Sequence, residues 1–217
     1  MNYFEFETER VEKLGNLSGI DQYMLHQHFK NHLCKLLLTL GAVCMISITA
    51  YTRGDKEVPA LKVIFIRHAE KSAKGDNLSC QGFNRSIQLP ALISSRYGIP
   101  DFTYVPAIGL GDATKHSRMF QTVIPLGVKF NLVINSKFEE KDSVGIATDI
   151  MKKKGIVLVV WEHKAISSLV HAIGIRNDGL QWADDDYDSI WIINISGGIA
   201  TMKLEKENLK LSSTCPF

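Results

Sequence analysis

The stretch "VIFIRHAEKS" (Val63–Ser72) sets an apolar, β-rich run directly against Arg67, His68, Glu70 and Lys71. A short run of this kind reads as a strand buried on both faces of a parallel sheet. Such a strand has little structural reason to deliver an arginine and a histidine together at its end. Two adjacent cationic groups disfavour charging of the imidazole. A bound anion relieves that repulsion, so the fold and the function both turn on whether the rest of the chain builds an anion site.

From Val58 onward, strand-like and helix-like stretches alternate. "LKVIFI" (61–66), "FTYVPAIG" (102–109) and "IVLVVWEH" (156–163) read as strands. "CQGFNRSIQLPALISSRYG" follows Ser79, a helix N-cap residue, and Phe83, Ile87, Leu92 and Ile93 suggest its apolar face. Pro90 is expected to kink that helix, and Gly98 with Pro100 to end it. A loop and helix follow in "GDATKHSRMFQTVIPLGVKF". "DSVGIATDIMKKKG" (142–155) reads as a helix closed by its glycine, and "KAISSLVHAIG" as a shorter one. "YDSIWIINI" and "IATMKLEK", divided by Gly197 and Gly198, form a terminal hairpin. Alternation of this kind predicts a three-layer α/β/α sandwich around a mostly parallel sheet.

Composition bounds the function. The 217-residue chain is long enough for one domain with an appendage, and its hydrophobic and charged fractions are those of a globular protein. A formal charge of +2 is too mild to argue for nucleic acid. Cys34, Cys44, Cys80 and Cys215 contain no C-x-x-C pair, so no metal motif is expected. Cys80 and Cys215 would pair if the protein is exported.

The first 57 residues read as a leader or tail, separate from the domain at 58–217. "LLLTLGAVCMISITAY" (36–51) is a long uncharged apolar run, preceded by Lys30 and Lys35. At sixteen residues it falls short of the roughly 20 that a membrane-spanning helix needs. It suits the apolar region of a signal peptide, with Ala50 before the cut, although the 35 residues ahead of it are long and acidic for a signal. A start at Met24 would leave a short basic leader. Otherwise the segment is an uncleaved anchor, or a buried helix. Export or membrane attachment through 36–51 is the leading expectation, ahead of a cytoplasmic location.

Ligands of open α/β sheets sit beyond the carboxyl ends of the strands. Two strands here end in histidine, at Arg67-His68 and at Glu162-His163. Brought together, one imidazole can attack phosphorus while the other donates to the phosphoryl oxygens. Arginine supplies the planar fork that matches those oxygens, and Arg67, Arg85 in "LSCQGFNRS" and Arg118 in "SRMFQT" are the candidates.

These segments, in this order, resemble the histidine phosphatase superfamily, which includes the cofactor-dependent phosphoglycerate mutases. "RHAEK" is similar to its first motif, "LSCQGFNRS" and "SRMFQT" to its arginine-bearing segments, and "VVWEH" to the strand carrying its second histidine. The resemblance spans about residues 58–205, and size and "RHAEK" resemble the phosphohistidine phosphatase branch. It implies a phosphoglycerate mutase-like fold and a phosphomonoester hydrolase with His68 as nucleophile. Arg67, Arg118 and His163 would surround the phosphoryl group, with Arg85 at or just behind the pocket as a further phosphate-binding residue. No metal or cofactor is implied, since arginines and imidazole take the metal's place.

The acid for the leaving group is less defined. Glu139 or Glu140 in "KFEEKD" is one candidate, against a solvated charge run. Glu162 is another, and it would alternatively orient His163 or cap a strand. The expected ligand is a small phosphorylated molecule or a phosphoprotein. The alternative is a catalytically idle, envelope-associated module that binds phosphorylated ligands in the same pocket. A phosphomutase is less favoured, for want of long insertions. A P-loop enzyme is not favoured, because no G-x-x-x-x-G-K-[ST] segment occurs. His116 and His171 read as exposed or packing residues, "DDDYD" (184–188) as a solvated acidic loop, and Met119, Phe120, Trp161 and Trp191 as core. The loops 109–116 and 175–186 are expected to set specificity. Oligomeric state is not legible.

Overall fold

Strand β1 (Leu61–Arg67) lies inside a six-stranded sheet, and its side chains alternate between two cores. Val63 and Phe65 enter one core, Ile64 and Ile66 the other. A strand covered on both faces needs apolar residues at every position, which is why "VIFI" shows no polar alternation.

The computed structural model describes residues 60–109, 115–176 and 179–217, together with residues 24, 26–28, 30 and 32, which are helical. The chain forms two units, Met1–Lys56 and Glu57–Phe217. The apolar segment 36–51 lies outside the described residues, as do residues 110–114 and 177–178 of the two loops expected to set specificity. Among the described residues, no helix is long and apolar enough to cross a membrane.

In the second unit the sheet order is β3-β2-β4-β1-β5-β6. Strands β2 (Phe102–Tyr104), β3 (Ile134–Asn135) and β4 (Gly155–Trp161) run parallel with β1. Strand β5 (Ser189–Ser196) is antiparallel to β1, and β6 (Ile199–Lys206) closes the hairpin at the edge. Helices α1 (Cys80–Arg96) and α2 (Ser117–Phe130) pack over Ile64, Ile66, Leu158 and Val160. Helices α3 (Ser143–Ile150) and α4 (His163–Ala172) cover Val63, Phe65, Val157 and Val159 on the other face. The architecture is the predicted three-layer α/β/α sandwich.

Several local expectations are corrected. Helix α1 starts as predicted, with Gly82 N donating to Ser79 Oγ at 3.1 Å, but it runs unbroken through Pro90 to Arg96. Its buried face carries Arg85, Ser86, Leu89, Leu92 and Ile93, while Ile87 is exposed. Strand β2 stops at Tyr104, because Pro106 has no N–H to continue the ladder. Helix α3 ends at Ile150. Gly155 does not close that helix but opens β4 at φ 89°, where a Cβ would also collide with the Asp101 carboxylate. The two-residue β3 is too short to leave a pattern in the sequence. Met119, Trp161 and Trp191 are buried as expected.

The C-terminal tail returns along α1. Asn84 Nδ2 donates to Ser212 O and Thr214 O, both at 2.8 Å, and a disulfide joins Cys80 to Cys215 across 135 positions of sequence. Cross-linking a long loop removes conformational freedom from the unfolded chain, so the Cys80→Ser, Cys215→Ser double variant should lose roughly 2–5 kcal/mol of stability. Urea unfolding under non-reducing conditions measures this, and the gap to wild type should close when dithiothreitol is added.

Candidate active site

Parallel pairing of β1 with β4 sets Arg67 opposite Trp161, and His68 N donates to Trp161 O at 3.1 Å. The two histidine-bearing strand ends therefore finish side by side at the carboxyl edge of the sheet, where its parallel strands end. This is the edge where α/β sheets bind ligands. His68 is 3 % and His163 7 % exposed, so both rings are recessed.

His68 sits at the floor of this edge. Its Nδ1 lies 2.7 Å from Ala69 O, a carbonyl that can only accept, so Nδ1 carries the proton and Nε2 keeps its lone pair. Burial pushes the imidazole down to about 4; the charges of Arg67, Arg118 and His163 act in the same direction, against the Ala69 bond. Those three are the groups that the sequence pattern selected as its neighbours. Ala69 N donates to Thr122 Oγ1 at 2.9 Å, and Thr122 Oγ1 donates to Arg118 O at 2.7 Å. Thr122, one helical turn past Arg118, thus ties the chain just after His68 to α2.

Arg67 shapes the adjoining loop. Its Nη1 donates to Ala183 O, Asp184 O and Asp186 O at 3.3, 2.9 and 3.0 Å, and its guanidinium lies 3.8 Å over the Tyr187 ring. Tyr187 in turn meets His68 edge-on at 6.1 Å. Among the described residues, Arg67 Nε and Arg118 Nε are both buried with no protein hydrogen-bond partner. Buried donors without partners are rare and costly, so two on the arginines beside His68 indicate a place for an acceptor. Among the described residues, Arg118 otherwise has a long contact, 3.8 Å from Nη1 to Asp76 Oδ1.

His163 opens α4, and Glu162 is that helix's N-cap rather than a strand cap. Glu162 Oε2 accepts from Lys164 N at 2.7 Å. Its Oε1 lies 2.7 Å from His163 Nδ1, close enough for charge attraction though not aligned for a hydrogen bond. On the other side of the ring, His163 Nε2 is 2.7 Å from Asp184 Oδ1. That bond holds the Asp184 carboxyl below its ordinary range, with Lys164 adding to the effect. Asp184, read from sequence as one of a solvated acidic run, is part of the site.

Arg85 does not share the open donors of Arg67 and Arg118. Its Nε and Nη2 donate to both oxygens of Glu70 at 2.9 and 2.7 Å, and its Nη1 donates to Glu207. All three nitrogens are committed to carboxylates, so Arg85 stands behind the pocket and clamps the chain just after His68. Burial pushes the Glu207 carboxyl up to about 7, with Arg85 pulling the other way. Glu207 offered no pattern in the sequence, lying in the charged run "KLEKE" (203–207), and its burial follows from the return of the tail.

Glu139 is exposed, and no hydrogen bond or ion pair joins its side chain to the site among the described residues. Glu140 is taken by His116, at 2.8 Å from Nε2, and His116 Nδ1 lies 2.7 Å from Ala107 O. His116 is thus a bracing residue rather than a free loop histidine. His171 is exposed, in an open cleft of about 490 Å³ with Ser143, Ser168 and Gln181; that cleft includes neither His68 nor either arginine. The arrangement can hold an oxyanion on open arginine donors beside a neutral imidazole whose Nε2 keeps its lone pair.

No protein-family model matches the sequence, and no curated protein matches it. Among solved structures, the chain is similar to a protein described as phosphohistidine phosphatase SixA from Agrobacterium tumefaciens. The TM-score is 0.50 at 16 % identity, over 67 % of this chain and 97 % of that one. A mycobacterial glucosyl-3-phosphoglycerate phosphatase with inorganic phosphate superposes at a TM-score of 0.47 and 11 % identity, over 66 % and 95 %. At these identities the likeness is one of fold. The fold is the phosphoglycerate mutase-like fold of the histidine phosphatases.

A depressed histidine stays neutral until the pH falls through its folded value, whereas the unfolded chain takes up the proton near 6.5. His68 therefore lowers stability as pH drops from about 6.5 to about 4, and is without effect on the slope above 6.5. NMR of the imidazole should show a midpoint near 4 and the Nδ1–H tautomer. Arg85→Ala leaves two recessed carboxylates without their cation and should cost about 3–5 kcal/mol in denaturant unfolding.

Proposed function

We propose that the protein is a member of the histidine phosphatases: a metal-independent phosphomonoester hydrolase that works through a phosphohistidine on His68. The observation that carries this reading is the pair of partnerless, buried Nε donors on Arg67 and Arg118 beside an imidazole kept neutral with Nε2 free. In water an isolated phosphate dianion has no reason to prefer such a place. In a recessed site the same donors bind it strongly and stabilise charge that develops on its equatorial oxygens.

The substrate phosphoryl group takes up the arginine donors and a hydrogen bond from His163. His68 Nε2 attacks phosphorus in line, and the leaving oxygen departs on the opposite side. The proton stays on Nδ1 and keeps its hydrogen bond to the Ala69 carbonyl, so the ring orientation holds during transfer. Water then attacks the phosphohistidine and releases phosphate. Most of the rate comes from placement and electrostatics, as in phosphoryl transfer generally. Glu162 serves as the residue that orients His163, because both its oxygens are engaged. The ligand class is a small phosphorylated molecule or a phosphoprotein.

We also propose that the domain works outside the cytosol, exported or anchored through residues 36–51. The Cys80–Cys215 disulfide supports this, since such bonds persist in oxidising compartments. Sequencing the mature N-terminus after cell fractionation tests it, and a full-length, reduced protein in the cytosolic fraction would refute it.

The central test is phosphate release from a panel of phosphomonoesters. Wild type should turn over and form an acid-labile phosphoenzyme, His68→Ala should do neither, and Arg118→Ala should lower kcat by about 100- to 1,000-fold. Phosphate binding without turnover would instead mark the pocket as an idle binding module.

A further inference from the structure

We infer that Asp184 delivers the proton to the leaving group, which equips the site for phosphate esters of aliphatic alcohols. The inference rests on the phosphatase reading above.

In-line attack places the leaving oxygen on the far side of phosphorus from His68. His68 is recessed, so that far side is the open one. Asp184 is the carboxylate that reaches solvent from His163: its side chain is 81 % exposed, and its Oδ1 is 2.7 Å from Nε2 of His163, which itself acts electrostatically on His68. Arg67 holds the backbone of Ala183, Asp184 and Asp186, so the same cation that awaits the phosphoryl group also sets the position of this carboxylate.

The other nearby acids are committed elsewhere. Glu162 divides its oxygens between His163 and Lys164 N, Glu140 holds His116, and Glu70 and Glu207 share Arg85. Asp186 accepts from Ser189 and Lys206. Asp76, exposed and 3.8 Å from Arg118 Nη1, and Asp185, exposed beside Asp184, are the remaining rivals among the described residues.

In the ligand-free protein His163 keeps Asp184 ionised. A phosphoryl oxygen that takes the His163 hydrogen bond removes that stabilisation and sets negative charge beside the carboxylate. Both changes favour the protonated acid, which takes its proton from solvent. The step then balances. The Nε2–P bond forms as the P–O bond breaks, and the departing oxygen takes the Asp184 proton and leaves as the neutral alcohol. Asp184, again a carboxylate, accepts a proton from the water that attacks the phosphohistidine, so the acid is restored. An alkoxide is a strongly basic leaving group and needs this proton; a nitrophenolate scarcely does.

The experiment compares full-length wild type, Asp184→Asn, Asp184→Glu and Asp76→Asn on glycerol 1-phosphate and on p-nitrophenyl phosphate. Asp184→Asn should lose about 100-fold or more in kcat on the alkyl ester and only a few-fold on the aryl ester. Asp184→Glu should recover part of the alkyl activity, and the alkaline limb of the wild-type pH profile on the alkyl ester should vanish in Asp184→Asn. Equal losses on both esters would overturn the inference. So would a gain on both with lower KM, which would make Asp184 a competitor for the phosphate position, or a selective alkyl loss in Asp76→Asn. Wild type inert on both esters would instead sink the phosphatase reading itself.

Discussion

The site depends on the register between β1 and β4. Seven consecutive residue pairs match Leu61–Arg67 to Gly155–Trp161, and the bond from His68 N to Trp161 O carries the pairing one step past the strand ends. A slip by a single residue would reverse which core each side chain enters. Val63 and Phe65 would exchange places with Ile64 and Ile66, and the two imidazoles would no longer finish at one level. The buried strands protect the register, and the register presents the chemistry.

Charge then has to be managed at the sheet edge. Two arginines and two histidines are crowded together, yet only some of this charge is met by protein. Arg67 spends one nitrogen on three carbonyls and its face on Tyr187, and Asp184 and Glu162 flank His163. The balance is left to a ligand, in the form of the two buried Nε donors. Neutrality of His68 follows from the same crowding, because burial and neighbouring cations oppose its protonation together. One arrangement therefore both leaves donors open to an oxyanion and keeps Nε2 of His68 unprotonated.

Behind the edge lies a second layer of support. Glu70 O accepts from Ser79 N at 2.9 Å, Gly82 packs so tightly on Glu70 that a Cβ would not fit, and Arg85 grips the Glu70 carboxylate. Glu207 completes that grip, and the tail continues to Cys215 on Cys80. The first turns of α1 thus bind the chain just after His68 to the C-terminus. Such buried ion clusters add little net stability compared with apolar packing, but they hold geometry and are costly to break.

Local sequence determined the layers, most strands and helices and the Ser79 cap, and it picked out the residues at 67, 68, 118 and 163 that the fold gathers together. These are readable because burial on two faces, helical caps and an Arg-His strand end leave marks at short range. Arg85 shows the limit of that reading: its segment is recognisable, but whether its fork meets phosphate or carboxylate depends on Glu70 and on Glu207, 122 positions away. Asp184, Tyr187 and Glu207 were likewise invisible as site residues, since nothing near them in sequence distinguishes a solvated acid from one seated on a histidine. Only the tertiary structure decided those roles. Hydrogen bonds between distant segments exist once the sheet has brought the segments together, and no local pattern records them.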